Sequence, residues 1–183
     1  FVHGTWIDSP HHPAQRLSGP KAWYYRLYSA LNARWEQKVW EQAQTIVAVS
    51  ENVARNVVSL GIPAPQVRVI PNGVSLSEFQ PGRAVREQFG LPGNPPMALF
   101  TGDLQSPIKN VDTLLNALRE VPSLHLALAG AIDQSPYPDL ARKLGVADRT
   151  HFLGYQTAIP DLMRSVDFLV LPSHQDAFGL VVT

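Results

Sequence analysis

Ala98-Leu99-Phe100-Thr101-Gly102-Asp103-Leu104, followed by Lys109-Asn110 and the run Val111-Asp112-Thr113-Leu114-Leu115-Asn116-Ala117-Leu118, decides how this chain is read. The first part is apolar without polar alternation, the pattern of a strand buried on both faces. It breaks at a glycine. Val111, Leu114, Leu115 and Leu118 then recur at the spacing of one helix face. A doubly buried strand, a turn and an amphipathic helix form the first two-thirds of a strand–helix–strand unit of a parallel sheet.

The same alternation extends outward. Strands are expected at residues 45–49, 67–70, 97–101, 124–129, 150–153 and 167–171, with another at Phe1-Val2-His3. Val53, Val57 and Leu60 mark a helix that stops at Gly61. Further helices are expected at residues 137–144, before Gly145, and 159–166, with Pro160 in the first turn. Such alternation predicts an α/β fold, doubly wound, with right-handed crossovers. The longest helical pattern covers residues 21–42. It places Trp23, Tyr24, Leu27, Tyr28, Leu31, Trp35 and Val39 on one broad face, with Lys21, Arg26, Arg34 and Lys38 among them. The expectation is a helix packed on the sheet with snorkelling basic stems. Peripheral membrane contact is the alternative.

Residues 71–96 hold Pro71-Asn72-Gly73, Pro81-Gly82, a short helical pattern around 84–89 and then Pro92 to Pro96. Turn formers at this density mark a boundary near residues 74–82, separating domains at 1–75 and 82–183. The chain starts inside one apolar run and stops inside another, which reads as the middle of a longer polypeptide.

Composition narrows the classes. With 183 residues and 45% hydrophobic content, the chain can build a sizeable core. Fifteen basic residues balance fifteen acidic ones, without a block of one sign, which argues against a dedicated nucleic-acid binder. The absence of cysteine excludes a disulfide framework and thiolate metal sites, and fits a reducing compartment. A cytoplasmic location, with the inner membrane face as its alternative, is the expectation.

Four strand-to-loop junctions carry the candidate chemistry, because an open parallel sheet binds ligands beyond the carboxyl ends of its strands. At the first, Gly102 permits close backbone approach, and Lys109 can hold a phosphate as a mobile point charge at a helix start. A solvated surface lysine is the plain alternative. The second, Leu128-Ala129-Gly130-Ala131, and the third, His151 to Gln156 with Gly154 and Tyr155, can meet a ligand with backbone or serve as ordinary turns. The fourth runs from Leu171 through Ser173, His174, Asp176, Phe178 and Gly179 to Leu180. Asp176 there is either a ligand-holding carboxylate or a helix cap. His174 has no second ligand at metal-binding spacing, so no metal site is expected.

Five stretches, VRVIPNGVSLSEFQP, ALFTGDLQSPIKNVDTLLNAL, LHLALAG, HFLGY and DFLVLPSHQDAFGLVV, span residues 67–183 in order. As a set they resemble the retaining nucleotide-sugar glycosyltransferases of family 4, which have the GT-B fold. FVHGT and TIVAVSENVARNV extend the resemblance more loosely to residues 1–66. It implies two Rossmann-like domains, the first (1–75) on the acceptor side and the second (82–183) for the donor. It implies a nucleoside-diphosphate sugar as substrate, a sugar, lipid or small-molecule acceptor, no nucleic-acid partner, and no metal or other cofactor.

Residue by residue, Lys109 matches the lysine that holds the donor diphosphate, and Gly102 the glycine of a Gly-Arg-Leu turn. Asp103 stands where those enzymes carry the arginine. Asp176 matches the first acid of a glutamate, seven-residue, glutamate motif, followed by Phe178, Gly179 and Leu180; the second acid would fall immediately after Thr183. His3 matches a histidine that faces the reacting sugar. Gly130, Gly154, Tyr155, Gln156 and Ser173 complete the implied donor site. Asp103 motivates one other reading, a non-catalytic sugar-nucleotide-binding GT-B protein. A nucleotide-sugar epimerase would need more acid–base residues than His3, His174 and Asp176 supply. The 183 residues alone are expected to be inactive or nearly so.

Overall fold

The computed structural model describes residues 19–174 and 176–182. His3 and the strand expected around it lie outside the described residues. The chain divides into two compact units, Phe1–Gly73 and Val74–Thr183.

In the first unit, helix α1 (Pro20–Gln42) precedes strand β1 (Ile46–Ala48), helix α2 (Glu51–Ser59) and strand β2 (Val67–Val69). β1 and β2 pair in parallel, Ile46 opposite Val67 and Ala48 opposite Val69. α2 starts where its sequence says it should. The Ser50 hydroxyl accepts from the Val53 amide at 3.3 Å, and Glu51 sits in the first turn. Val53, Ala54 and Val57 are buried.

α1 corrects an expectation. Its broad aromatic face is exposed, with Trp23 at 69% and Trp35 at 67%. The helix is anchored instead through Trp40, which is buried, and through Gln66, whose side-chain amide donates to the carbonyls of Trp40 and Ala43. Apolar and basic residues are interleaved round the cylinder, so no single concentrated stripe directs its packing.

The second unit is a four-stranded parallel sheet: β3 (Met97–Thr101), β4 (His125–Ala129), β5 (Thr150–Gly154) and β6 (Phe168–Leu169). Their order is β5-β4-β3-β6. Helices α3 (Val111–Arg119) and α4 (Tyr137–Lys143) connect the strands that step outward from β3. Helix α5 (Ile159–Arg164) then returns the chain to the other side of β3. The strand order therefore reverses between β3 and β6, which creates a topological switch point.

The core lies on both faces of this sheet. Phe100, Leu126 and Leu128 meet Leu115 and Leu118 of α3 and Ala141 of α4 on one face. Met97, Leu99, Ala127 and Ala129 meet Leu162 of α5 on the other. Each fully buried leucine or phenylalanine contributes about 2 kcal/mol relative to exposure. The expected strand at 167–171 shortens to two residues, although the Val170 amide still donates to the Leu99 carbonyl. The helix expected to reach Val166 ends at Arg164, because the Ser165 hydroxyl turns back to the Asp161 carbonyl and accepts from the Val85 amide. Around residues 84–89 there is only a 3-10 turn, Arg86–Phe89.

Two arginines hold the amino-terminal side of the sheet. Arg86 donates to the carbonyls of Ser165, Gly93 and Pro95 and to the Asp167 carboxylate, which also accepts from the Met97 amide. Arg149 donates to the carbonyls of Leu118, Val121 and Leu124, satisfying the end of α3 and the loop after it.

A histidine pair joins β4 to β5. Nδ1 of His125 lies 2.9 Å from Nε2 of His151. The ring centroids are 5.2 Å apart with planes 14° from parallel, so the rings meet edge to edge along one N–H···N bond. Such a bond needs one neutral acceptor. Burial, and then the charge of His125, hold His151 below the ordinary imidazole value. Below that ordinary value the unfolded chain therefore binds more protons than the folded one. The pair's contribution is present above about pH 6.5 and is lost as pH falls. Urea midpoints measured from pH 7.5 to pH 5.5 should decline, and His151→Gln should flatten the decline.

Candidate functional site

The parallel register brings the carboxyl ends of β3, β4 and β5 level. The Gly102 amide donates to the Ala129 carbonyl at 3.0 Å, and the Gly130 amide to the Gly154 carbonyl at 2.9 Å. Gly130 has no room for a side chain: a Cβ there would lie 2.1 Å from the Gly102 carbonyl oxygen. Gly102, Asp103, Gly130, Tyr155 and Gln156 line one groove of about 290 Å³. Tyr155 is 80% exposed at its rim. The Gln156 side chain donates back to the Leu153 carbonyl, so it faces its own strand end. The Asp103 carboxylate accepts from the Gln105 amide at 2.8 Å, closing the turn after β3. The Gln105 side chain crosses to the Asp133 carbonyl.

The second cluster forms at the switch point, where the loop after β3 meets the loop after β6. Lys109 Nζ lies 2.8 Å from Asp176 Oδ2. The other carboxylate oxygen of Asp176 accepts from the Gly179 amide at 3.0 Å. Burial alone would raise the Asp176 carboxyl. The hydrogen bond and charge of Lys109, with the amides of Gly179 and Phe178, outweigh it and hold the group below the usual carboxylate value. Asp176 thus caps the Gly179 turn and pairs with the lysine. The Gly179 amide, expected to meet a ligand, is taken by this carboxylate and leads only into a 3-10 turn, Leu180–Val182. The two clusters touch through the lysine stem, since Lys109 Cε lies 3.9 Å from the position of a Gly102 Cβ.

Ser173 has its hydroxyl oxygen buried with no hydrogen-bond partner among the described residues. Leu180 directly follows the Gly179 turn. It lines an apolar groove with Val74, Phe79, Met163 and Leu169. His174 contributes its amide to the Ile108 carbonyl. Among the described residues no group of three or more histidine, aspartate or glutamate side chains could hold a metal ion, and no helix is long and apolar enough to cross a membrane.

Sequence reasoning passed over Asn110. Its side-chain amide donates to the Pro172 carbonyl at 3.0 Å, and its backbone is left-handed, φ 56° and ψ 35°. The readable signal was an asparagine, the residue after glycine most tolerant of that region, directly before a helical run.

These features sit in a recognisable lineage. Residues 83–183, more than half the chain, match the family described as glycosyl transferases group 1. The chain belongs to the group 1 glycosyl transferases. Residues 1–78 match the family described as glycosyltransferase family 4. A curated relative, D-inositol 3-phosphate glycosyltransferase of Mycobacterium tuberculosis, is 35% identical over 157 residues, covering 80% of this chain and 32% of that protein. This chain thus spans about a third of the length of the curated relatives it matches. Sucrose-phosphate synthase from Thermosynechococcus elongatus superposes with a TM-score of 0.72 at 23% identity, covering 93% of this chain and 44% of that one. HepE of Anabaena, solved with UDP and glucose, superposes with a TM-score of 0.65 at 25% identity, covering 76% and 41%. The fold is of the GT-B type, as expected.

Two substitutions probe the site's construction. Gly130→Ala should lower the unfolding free energy by about 2–3 kcal/mol, because backbone rather than a flexible side chain must yield; denaturant titration reads this. Ser173→Ala should raise the melting temperature, since it removes an unsatisfied hydroxyl that costs about 1 kcal/mol or more.

Proposed function

We propose that the parent protein transfers a sugar from a nucleoside-diphosphate sugar to an acceptor hydroxyl with retention at the anomeric carbon. The observation that carries this reading is the Lys109–Asp176 pair at the switch point, with the lysine stem running beside Gly102 at the groove. The two groups complement the two halves of such a donor. Lys109 meets charge developing on the departing diphosphate. Asp176 accepts from sugar hydroxyls and orients the ring. The groove past Gly102 and Gly130 leaves room for the nucleoside, with Tyr155 and Gln156 at its edge.

In the transfer step, the bond between the anomeric carbon and the diphosphate oxygen breaks while the acceptor oxygen bonds to that carbon from the same face. The acceptor proton passes to the leaving phosphate oxygen. The leaving charge falls to Lys109, so this reading calls for no metal or other cofactor. His3 retains its proposed place beside the reacting sugar on grounds of resemblance alone. The acceptor is a sugar, lipid or small-molecule hydroxyl. The relative named for D-inositol 3-phosphate makes a phosphorylated polyol the first acceptor to try, and HepE makes UDP the first nucleotide. The units Phe1–Gly73 and Val74–Thr183 take the acceptor-side and donor-side roles in this reading.

Asp103 supports a second reading. A carboxylate at the groove where similar enzymes carry an arginine removes a cation and adds an anion, which suits a sugar-nucleotide-binding protein without turnover. Calorimetric titration of the full-length protein with UDP, GDP, ADP, UDP-glucose and GDP-mannose tests both. Micromolar binding of one diphosphate is expected. Lys109→Ala should weaken it by about tenfold to a hundredfold, the loss of one charge-assisted hydrogen bond. Asp103→Arg should strengthen it if the site is degenerate, and weaken it or abolish turnover if Asp103 serves the reaction. A folded protein that binds none of the five ligands would sink the donor-site assignment.

A further inference from the structure

We propose that Asn110 is a positioning residue of the donor site, setting the separation of Lys109 and Asp176 by clamping the loop after β3 to the loop after β6. This rests on the donor-site reading above and deepens it.

Three successive residues reach across the switch point. The Ile108 carbonyl accepts from the His174 amide at 2.9 Å. Lys109 Nζ meets Asp176 Oδ2 at 2.8 Å. Asn110 Nδ2 donates to the Pro172 carbonyl at 3.0 Å, in a partly buried position. The middle contact is made by a long flexible stem and a carboxylate on a loop. Its geometry is set by whatever fixes the two backbones, and the flanking contacts do that. Only one of those two is made by a side chain, and that side chain is Asn110's.

The backbone of Asn110 explains how it reaches. An asparagine immediately before a helix ordinarily turns its side-chain oxygen onto the amides of the first turn. Asn110 does not: it makes no such cap bond to α3. With its left-handed backbone, φ 56°, the side-chain amide reaches Pro172 instead of capping the first-turn amides. The carboxamide is then held from its other end, because the Thr113 hydroxyl donates to Asn110 Oδ1 at 2.8 Å. With one end accepting and the other donating, the amide orientation is specified by the network. A glycine would reach the same backbone conformation more readily. The residue present instead accepts backbone strain and supplies two side-chain bonds, which the fold of α3 alone does not require.

The test uses the full-length protein and UDP, GDP or ADP, whichever the unsubstituted protein binds. Asn110→Gly preserves the left-handed backbone and removes both side-chain bonds, so folding is maintained. Its diphosphate affinity should fall about fivefold to tenfold, the effect of one displaced hydrogen bond. A Lys109→Ala protein should lose little more on adding Asn110→Gly, because the clamp acts through the lysine and its partner. Thr113→Val, which frees only the Oδ1 end, should fall between Asn110→Gly and the unsubstituted protein. Unchanged affinity in Asn110→Gly overturns the proposal. So does a loss that adds in full to that of Lys109→Ala, which marks a structural role independent of the lysine. If the folded unsubstituted protein binds none of the five ligands of the calorimetric titration, the donor-site reading falls and takes the proposal with it.

Discussion

The register of β3 with its neighbours is the constraint on which the second unit depends. Met97–Thr101 is hydrogen-bonded in parallel on both sides, to β4 and to β6. Parallel pairing sends every connecting loop from a carboxyl end, over one face or the other, to the next amino end. The reversal of strand order at β3 then leaves the loops after β3 and β6 adjacent and heading into opposite crossovers. Lys109 follows the first strand and Asp176 the second. Their 2.8 Å contact, between residues 67 positions apart, results from topology rather than from any local signal. The steric demand at Gly130, against the Gly102 carbonyl, follows from the same level alignment of strand ends.

The two edges of this sheet have separate work. At the amino-terminal edge, Arg86 gathers several backbone carbonyls and the Asp167 carboxylate, and the histidine pair bridges β4 and β5. These groups bond to partners from the chain itself at the strand starts. At the carboxyl edge the polar groups are only partly engaged. Ser173 keeps a buried hydroxyl unpartnered among the described residues, and Asp103 uses one oxygen to close its turn. Stability is concentrated at one end and chemical opportunity at the other, as an open parallel sheet permits.

Much of this could be read from local pattern. Each strand and helix of the second unit announced itself by apolar runs and helical spacing, because doubly buried strands tolerate few polar residues. Gly102, Gly130 and Lys109 were visible as strand-end features. What escaped depended on distance or on backbone conformation. His125 and His151 stand 26 residues apart, and nothing near either announces the other. Asn110 went unread because its reach across the switch point depends on a backbone φ of 56° that no letter announces. α1 misled through its length. A broad aromatic face suggested packing, yet the side chain that anchors the helix is Trp40, at its last turn. The 3-10 turn at Arg86–Phe89 fell short of a helix because Gly90, left-handed at φ 65°, ends it at once.

The electrostatics of the site follow from the Lys109–Asp176 pair. Lys109 and Asp176 neutralise one another, and each side chain is roughly a quarter exposed, so water screens the pair only in part. At an effective dielectric near 20, opposite unit charges about 3–4 Å apart attract by roughly 4–5 kcal/mol before desolvation is subtracted. Under the proposed function, a diphosphate arriving at Lys109 has to offer more than a single carboxylate does. It does so by carrying at least two charges and by delivering sugar hydroxyls for Asp176 to accept, so that neither partner is left unpaired. A free monophosphate brings no such hydroxyls and would strand the carboxylate. On the proposed function the pair favours ligands that join a diphosphate to a polyol, and the preference comes from two side chains that the fold holds 2.8 Å apart.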